Sequence, residues 1–246
     1  MKLLPILTIV LGELGVGTAL FVCFQQTHEI RKSFFSFQSW LVTTCFLMMS
    51  IVVSGNHFFG ASYFPLALLA ALAAHNFSAE RYKWGKGLLF TTALLGTVFL
   101  TTQTYAGIFP RHSWIFRLLN MLAGICLLGW ADGNMILGHW YLLMRGLSFS
   151  HFQVATTQLS AAIIFRTMVL GIALSGLVLS EIPNKIQSNL LFFSMRVVWG
   201  LILPAIFGFM AWRCAKTGSN QAGTGLLYIT EVSVLIGEIS ATSLGL

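Results

Sequence analysis

The stretch "TEVSVLIGEIS", residues 230–240, places two acids, Glu231 and Glu238, inside a long apolar run. Seven residues are close to two turns of an α-helix, so both carboxyl groups would lie on one stripe, about 10 Å apart along the axis. Charged side chains at mid-depth in a bilayer are costly and normally face protein or water. The stretch therefore predicts a membrane helix whose acidic stripe packs against other helices.

The composition supports the same conclusion for the whole chain. Of the 246 residues, 57% are hydrophobic and only 9% are charged, and the mean hydropathy is +0.82. A soluble domain typically carries about 25% charged residues. Apolar segments of bilayer-spanning length recur along the sequence. We therefore predict an all-α, polytopic membrane helix bundle that forms a single integral-membrane domain over residues 1–246, with no separate soluble catalytic domain.

The hydropathy pattern predicts eight transmembrane helices joined by short loops. These candidate spans cover residues 3–24, 38–55, 57–77, 87–106, 114–143, 153–180, 188–212 and 223–246. The third has a short apolar core, "FPLALLAALAA" (64–74), which is also compatible with a re-entrant segment. The number of crossings therefore depends on the third segment.

The distribution of Lys and Arg favours eight crossings with both termini outside. In that topology the inner loops hold Arg31, Lys32, Arg81, Lys83, Lys86, Arg145, Arg213 and Lys216. The outer segments hold Lys2, Arg111 and Lys185, and Arg117 lies just inside the fifth span. A re-entrant third segment would move the cations of residues 81–86 outside. Because cytoplasmic loops carry the excess of Lys and Arg, eight spans fit better.

Seven acidic, arginine or histidine side chains lie deep within the predicted spans. They are Glu13, Asp132, His139, Arg166, Arg196, Glu231 and Glu238. One interpretation is structural: acids and bases on adjacent helices pair, Arg166 with one of the acids in particular. The other is functional, a proton path or a quinone headgroup pocket, because oxidising a quinol needs a base that accepts protons. Spacing alone leaves both open.

Depth along the helices predicts different partners for the two acids of the eighth span. Arg196 enters the seventh span from outside and reaches a depth similar to that of Glu238, so we predict a buried Arg196–Glu238 charge pair. Glu231 has no basic neighbour at its depth on the seventh span. It would then be protonated, or bonded to inner-half polar groups such as Gln158 or Asp132. The pattern predicts that replacing Glu238 by Gln harms assembly, whereas replacing Glu231 by Gln is tolerated or affects only proton handling.

Other chemistries are weakly indicated. A b-type heme needs two axial histidines at one depth on facing helices, and only His139 lies well inside a span, so we expect no heme and no metal site. The sequence has no HExxH, GxSxG or paired-Asp motif, which argues against an intramembrane enzyme. A proton-coupled small-solute transporter remains the alternative, although no half-repeat is evident.

The end of the chain resembles the membrane anchor subunit of dimethyl sulfoxide reductase. That family has an Arg-led penultimate helix and a "GE" pair in the last helix, and here these are Arg196 and Gly237–Glu238. The similar segments are "SMRVVWGLILPAIFGFMAWR" (194–213), "GLLYITEVSVLIGEIS" (225–240), "LPILTIVLGELGVGTALF" (4–21), "SIVVSGNHFFGAS" (50–62), "LLGTVFLTTQTYAGIFPRHSW" (94–114) and "LLNMLAGICLLG" (118–129). The resemblance covers most of the chain in the same order.

The resemblance implies a non-catalytic subunit in the bacterial cytoplasmic (inner) membrane. Such an anchor holds an iron–sulfur electron-transfer subunit and a molybdopterin catalytic subunit, and it oxidises menaquinol near the outer face without a heme of its own. It also implies eight spans with both termini outside. No nucleic-acid partner is expected, because the basic residues lie between spans.

The sequence departs from the family pattern in the polar loop linked to quinol. Tyr63 stands where the family has Arg, and "NFSAE" (76–80) mimics the Ser–Glu element but would lie inside. Of the family's quinol positions only His57 is kept. We therefore predict a quinone pocket near the outer face that is bounded by His57, Tyr105 and Arg117, with Glu13 as a deeper proton acceptor.

Overall fold

Eight long helical segments run through the structure, a computed structural model that describes residues 3–26, 30–53, 57–107, 114–144, 149–174 and 190–244. The side chains at 3, 57–61, 103–107, 114 and 173 lie outside this description. The segments are α1 (Leu3–Phe24), α2 (Lys32–Val52), α3 (His57–Ser78), α4 (Tyr82–Gly107), α5 (Trp114–Leu143), α6 (Phe149–Leu174), α7 (Leu190–Thr217) and α8 (Asn220–Leu244).

The helices have the length and surface of a multi-pass membrane protein. Among the helices as described, all except α3 are long and apolar enough to cross a bilayer. Large apolar side chains stand exposed on the outside of the bundle, for example Ile51, Leu94, Met168, Phe209 and Val232. A soluble protein does not expose apolar surface on this scale. The all-helical, membrane-type fold predicted from composition is thus confirmed.

Helix α3 runs antiparallel to α2 over most of its length. The hydroxyl groups of Ser36 and Ser78 are 3.1 Å apart where α2 begins and α3 ends. Further along, the ring of Phe46 stacks on that of Tyr63, with centroids 6.4 Å apart. Helices α2 and α4 consequently begin at the same end of the bundle.

That end, which we call the basic end, collects the C-termini of α1, α3, α5 and α7 and the N-termini of α2, α4, α6 and α8. Contacts between these helix ends join Lys86 to Gln25, Phe34 to Trp140 and Gln153 to Ala215. Its described cations are Arg31, Lys32, Arg81, Lys83, Lys86, Arg213 and Lys216. At the opposite end the described part of the chain places Arg117, in the first turn of α5.

Helices α1 and α5 cross in close contact at the centre of the bundle. A Cβ atom at Gly129 would lie 2.0 Å from the carbonyl carbon of Gly17, so neither position accommodates a side chain without moving a helix. Both helices run in the same direction, since Phe21 also contacts Gly133. This contact brings the polar groups of α1 and α5 to the same depth.

Helix α7 is interrupted by a π-helical segment, Val198–Ile202, between α-helical Leu190–Val197 and Leu203–Thr217. Pro204 has no N–H group, and its ring would clash with the carbonyl group four residues earlier, that of Gly200. Widening of the helix at this point is a common response to such an obstacle. Gly200 packs against Gly237 of α8, where an added Cβ would lie 2.1 Å from the Gly200 Cα.

Each predicted span overlaps a described helix, although α3 is not among the seven that are long and apolar enough to cross a bilayer, and the ends differ. The fifth span, 114–143, coincides with α5, whereas α2 and α4 begin at Lys32 and Tyr82, before the predicted 38 and 87. Hydropathy detects the part of a helix that lies in hydrocarbon. The helical hydrogen bonding continues beyond the hydrocarbon region into the membrane–water interface, where Lys, Ser and Trp side chains can contact water or lipid headgroups.

Candidate functional site

The acidic stripe of α8 faces the interior of the bundle. Glu231 and Glu238 are both buried, with exposed fractions of 5% and 1%. Small or apolar residues share this buried face, including Leu227, Val234 and Gly237. The carboxyl groups therefore meet protein rather than lipid, as the sequence predicts.

Glu238 is held by two arginines from different helices. Arg166 of α6 donates from Nε to Glu238 Oε1 at 3.0 Å and from a terminal nitrogen to Oε2 at 2.5 Å. Arg196 of α7 donates to Glu238 Oε1 at 2.9 Å. Both arginines are 1% exposed. The pairing of Arg196 with Glu238 is the one predicted from depth, and Arg166 adds a bidentate contact.

Asn120 of α5 completes this group, which we call the charged cluster: Asn120, Arg166, Arg196 and Glu238. The second terminal nitrogen of Arg166 donates to the Asn120 carbonyl oxygen at 2.8 Å and to its side-chain oxygen at 2.5 Å. Arg196 is less well satisfied, because its Nε has no hydrogen-bond partner. The cluster ties α5, α6, α7 and α8 together.

Glu13 of α1 lies beside the charged cluster without a hydrogen-bond partner for its Oε2. Its carboxyl group interacts electrostatically with Glu238, Arg166 and Arg196. It fits against Gly124, where an added Cβ would lie 2.7 Å from Glu13 Oε1. The side chain is only 4% exposed. Glu13 is thus a buried carboxyl group with spare acceptor capacity next to two cations.

A second polar group, which we call the acid pair, consists of Asp132 on α5 and Glu231 on α8. Their carboxyl groups interact electrostatically. Thr18 of α1 donates to Asp132 Oδ2 at 3.0 Å, whereas Glu231 Oε2 has no hydrogen-bond partner. The salt bridges among the described residues involve neither carboxyl group. The pair is suited to binding and releasing a proton.

The two polar groups occupy different depths. Glu238 lies about 9 Å from the end of α8 at Leu244, and Glu231 lies about 20 Å from it, at a rise of 1.5 Å per residue. Asp132 lies about 16 Å from the end of α5 at Leu143. The charged cluster therefore lies in the half of the bundle away from the basic end, and the acid pair lies near the middle.

The predicted quinone pocket is described only in part. Of its four residues, Glu13 lies beside the charged cluster and Arg117 is partly buried in the first turn of α5. Arg117 precedes Gly124, the residue against Glu13, by two helical turns, or about 10 Å. The side chains of His57 and Tyr105 lie outside the described residues.

Two other polar residues of the inner half are engaged elsewhere. Gln158, a predicted partner of Glu231, accepts a hydrogen bond from Trp130 Nε1 at 3.1 Å. His139 Nδ1 lies 3.0 Å from the Tyr228 hydroxyl group, on an exposed face near the basic end. The contact between His139 and Tyr228 is typical of an interfacial belt, whereas Trp130 lies deeper, about 20 Å from the end of α5 at Leu143.

Asn120 was missed by the sequence analysis. An amide carries no charge, so the search for ionisable residues within spans passes over it. The available signal is its position in the apolar run "LLNMLAG" (118–124), one turn before Gly124. An amide in such a run needs a partner, because an unbonded polar group is costly in lipid.

Comparisons with known proteins add no identification. Searches against family models, curated proteins and solved structures find no match for this chain. Within the described residues, no group of three or more His, Cys, Asp or Glu side chains could hold a metal ion. What the site offers chemically is therefore carboxyl groups that can exchange protons and arginines that can orient an anionic or carbonyl oxygen.

Proposed function

We propose that the chain is the membrane anchor and quinol-interacting subunit of a molybdopterin and iron–sulfur respiratory oxidoreductase. It would take electrons from menaquinol and deliver them to an iron–sulfur partner subunit. The molybdopterin catalytic subunit would carry out the terminal reaction. The chain itself would bind quinol and accept its protons, without a heme of its own.

The observation that carries this proposal is the unpartnered carboxyl oxygen of Glu13. Quinol oxidation releases protons, and a base within reach of the hydroxyl group accelerates it. Glu13 is buried, has acceptor capacity left, and lies beside two arginines whose charge favours an anionic intermediate. Arg117 lies about 10 Å nearer the end of the bundle and would bound the quinone headgroup with His57 and Tyr105.

The topology required by this proposal is eight crossings with both termini outside. Support for a crossing by α3 comes from its antiparallel course beside α2, from Tyr63 to Ser78. The cations of the basic end would then face the cytoplasm, as the positive-inside effect requires. The charged cluster and Glu13 would lie in the outer half of a bacterial cytoplasmic membrane, the half in which the sequence resemblance places menaquinol oxidation.

The first experiment is affinity purification of the tagged chain from membranes of its native host. The proposal expects an iron–sulfur subunit and a molybdopterin subunit to purify with it, and the complex to oxidise a menaquinol analogue. Recovery of the chain alone, with no quinol oxidation in the membranes, would reject the anchor role.

The second experiment tests the base. Glu13→Gln should lower quinol oxidation by about 100-fold or more, the usual contribution of a general base, while the complex still assembles. Glu231→Gln is the matched control, because it removes another buried carboxyl group that we place outside the quinol site. Equal rates in the Glu13 variant and the parent complex would exclude Glu13 as the acceptor.

His57→Ala tests the position of the pocket. Loss of quinol oxidation with retained assembly is expected if the headgroup lies between His57, Tyr105 and Arg117. Unchanged oxidation by the intact complex would show that the pocket is placed wrongly. The Km for the quinol analogue separates a binding defect from a chemical one.

The second candidate is a proton-coupled small-solute transporter. The acid pair favours it, since two carboxyl groups near mid-depth without a cation could load and release a proton. The π-helical segment of α7 beside the charged cluster is also a feature that is frequent at functional sites. Solute uptake into proteoliposomes driven by a proton gradient, by the chain without partners, would support this function instead.

A further inference from the structure

A shallow cavity of about 340 Å³ lies at the basic end, between the first turns of α2 and the last turn of α3. Its lining residues are Lys32, Ser33, Ser36, Phe37, Trp40 and Ser78. It is far from the charged cluster and the acid pair, and the proposed function makes no use of it. Its polar and apolar parts are separated, which indicates an amphipathic ligand.

The polar part combines a cation with hydroxyl groups. Lys32 is half exposed and uses one of its three N–H donors on Glu80, at 2.9 Å. Ser33 is exposed beside it. The hydroxyl groups of Ser36 and Ser78 lie 3.1 Å from each other, and both donate to the Ala74 carbonyl oxygen, at 3.3 and 3.0 Å. An ammonium group beside the exposed hydroxyl group of Ser33 is chemistry that can bind a phosphate group.

The backbone around Glu80 is unusual in a way that bears on Lys32. Glu80 has a φ of 61°, the left-handed region that a non-glycine residue rarely adopts. The turn after α3 is closed by hydrogen bonds from Glu80 N to Phe77 O and from Arg81 N to Asn76 O, a pattern that ordinarily has glycine at this position. An exposed ion pair contributes little stability. Glu80 therefore stands where glycine is usual, and its carboxylate pairs with Lys32 at the edge of the cavity.

The apolar part faces where lipid would be. Phe37 and Trp40 are on one face of α2, three residues apart, with exposed fractions of 51% and 54%. Trp is enriched where a membrane meets water, because its ring is apolar and its N–H group is polar. An acyl chain descending from the cavity would run along these two rings.

We propose that this cavity binds an anionic phospholipid, with its phosphate group on Lys32 and Ser33 and its acyl chain along Phe37 and Trp40. The basic end supplies the surrounding positive charge that attracts anionic headgroups. Glu80 acts as a competing anion that keeps Lys32 in place when no lipid is bound.

The test uses the full chain purified in a neutral detergent and titrated with phosphatidylglycerol or phosphatidylcholine of equal chain length, with bound lipid counted by native mass spectrometry. Phosphatidylglycerol should be retained preferentially. Lys32→Gln should weaken its retention by roughly fivefold, the value of one lysine near an anionic surface. Lys216→Gln is the matched control, because this lysine lies over the Trp212 ring at the same end, outside the cavity.

Glu80→Gln makes the test specific. Removing the competing carboxylate should increase phosphatidylglycerol retention, while Lys32→Gln decreases it. If Lys32 serves only its ion pair with Glu80, neither variant would change lipid preference, which would overturn the proposal. The proposal would also be overturned by equal retention of both lipids or by equal effects of the two lysine variants. Displacement of the lipid by millimolar inorganic phosphate would overturn it as well, because it would indicate a site for a soluble anion.

Discussion

The charged cluster and the acid pair each place a buried carboxyl group of α8 against α5, but the surroundings of the two carboxyl groups are opposite. Glu238 accepts three hydrogen bonds from two arginines. Glu231, two turns away on the same face, has an unpartnered oxygen and another acid as its neighbour. Burial is nearly equal, so the difference lies in the surrounding charge.

The contrast separates a structural role from a proton-exchanging one. A buried ion that is compensated by charge and hydrogen bonds is fixed, since removing any partner leaves an uncompensated charge in a medium of low dielectric constant. A buried carboxyl group without a cation can become neutral by binding a proton. We therefore expect mutations in the charged cluster to affect folding, and those in the acid pair to affect proton movement.

The largest effect is expected for Glu238→Gln. The amide cannot neutralise two arginines, and the destabilisation should be on the order of 3–5 kcal/mol. The yield of monodisperse protein in size-exclusion chromatography and the midpoint of thermal unfolding measure it. A variant as stable as the parent would show that the cluster does not hold the helices together.

The matched control replaces the whole ion cluster with apolar side chains: Arg166→Met, Arg196→Met and Glu238→Leu together. Replacing a complete buried ion network is often neutral or stabilising, whereas removing one member is not. The triple variant should therefore recover most of the stability that Glu238→Gln loses. A further loss would mean that the cluster contributes net stability.

The two arginines should respond differently to replacement by Lys. Arg166 makes a bidentate contact with Glu238 and two hydrogen bonds to Asn120, whereas Arg196 donates one hydrogen bond to Glu238 through a terminal nitrogen. Lys supplies a charge but not the planar fork. Arg166→Lys should cost about 2–3 kcal/mol and Arg196→Lys about 1 kcal/mol or less. Thermal unfolding of the two variants side by side tests the order, and the reverse order would contradict this account of the cluster.

Gly237→Ala should act on the cluster through the backbone. The new methyl group would meet the Gly200 backbone at 2.1 Å, so α7 and α8 must separate and draw Arg196 away from Glu238. Overpacking of this kind typically costs about 1–3 kcal/mol.

Gly225→Ala in the same helix is the control, since its Cβ would meet nothing within 4 Å. Replacing a helix-interior glycine by alanine should stabilise the chain by roughly 0.5–1 kcal/mol. Opposite signs for the two glycine variants are thus expected in thermal unfolding. Equal effects would mean that helix propensity, rather than the contact with α7, determines the result.

The sequence predicts the depth of each of these groups, but it does not predict as well which residues surround them. Hydropathy locates residues along a helix axis. Depth alone was enough to pair Arg196 with Glu238 and to predict that Glu231 has no basic neighbour on the seventh span. It does not determine how each helix is rotated or which helices adjoin. The bidentate contact of Arg166, its bonds to Asn120 and the position of Glu13 depend on the close crossing at Gly17 and on the π-helical segment, which a hydropathy profile does not show.

The smallest effect is expected for Glu231→Gln, and it is the one that sharpens the comparison most. The amide has the same shape as the protonated carboxyl group and is likewise uncharged, so the replacement neither opens a cavity nor removes a charge that another group compensates. Stability should stay within about 0.5 kcal/mol of the parent or rise slightly, in contrast to the loss in Glu238→Gln.

Asp132→Asn should behave similarly, because the amide oxygen can still accept the Thr18 hydrogen bond. Thermal unfolding measures both, and proton release during quinol oxidation, followed with a pH-sensitive dye, shows whether the pair handles protons. If Glu231→Gln lowers the amount of folded protein as much as Glu238→Gln does, then charge compensation is not what distinguishes the two acids of α8.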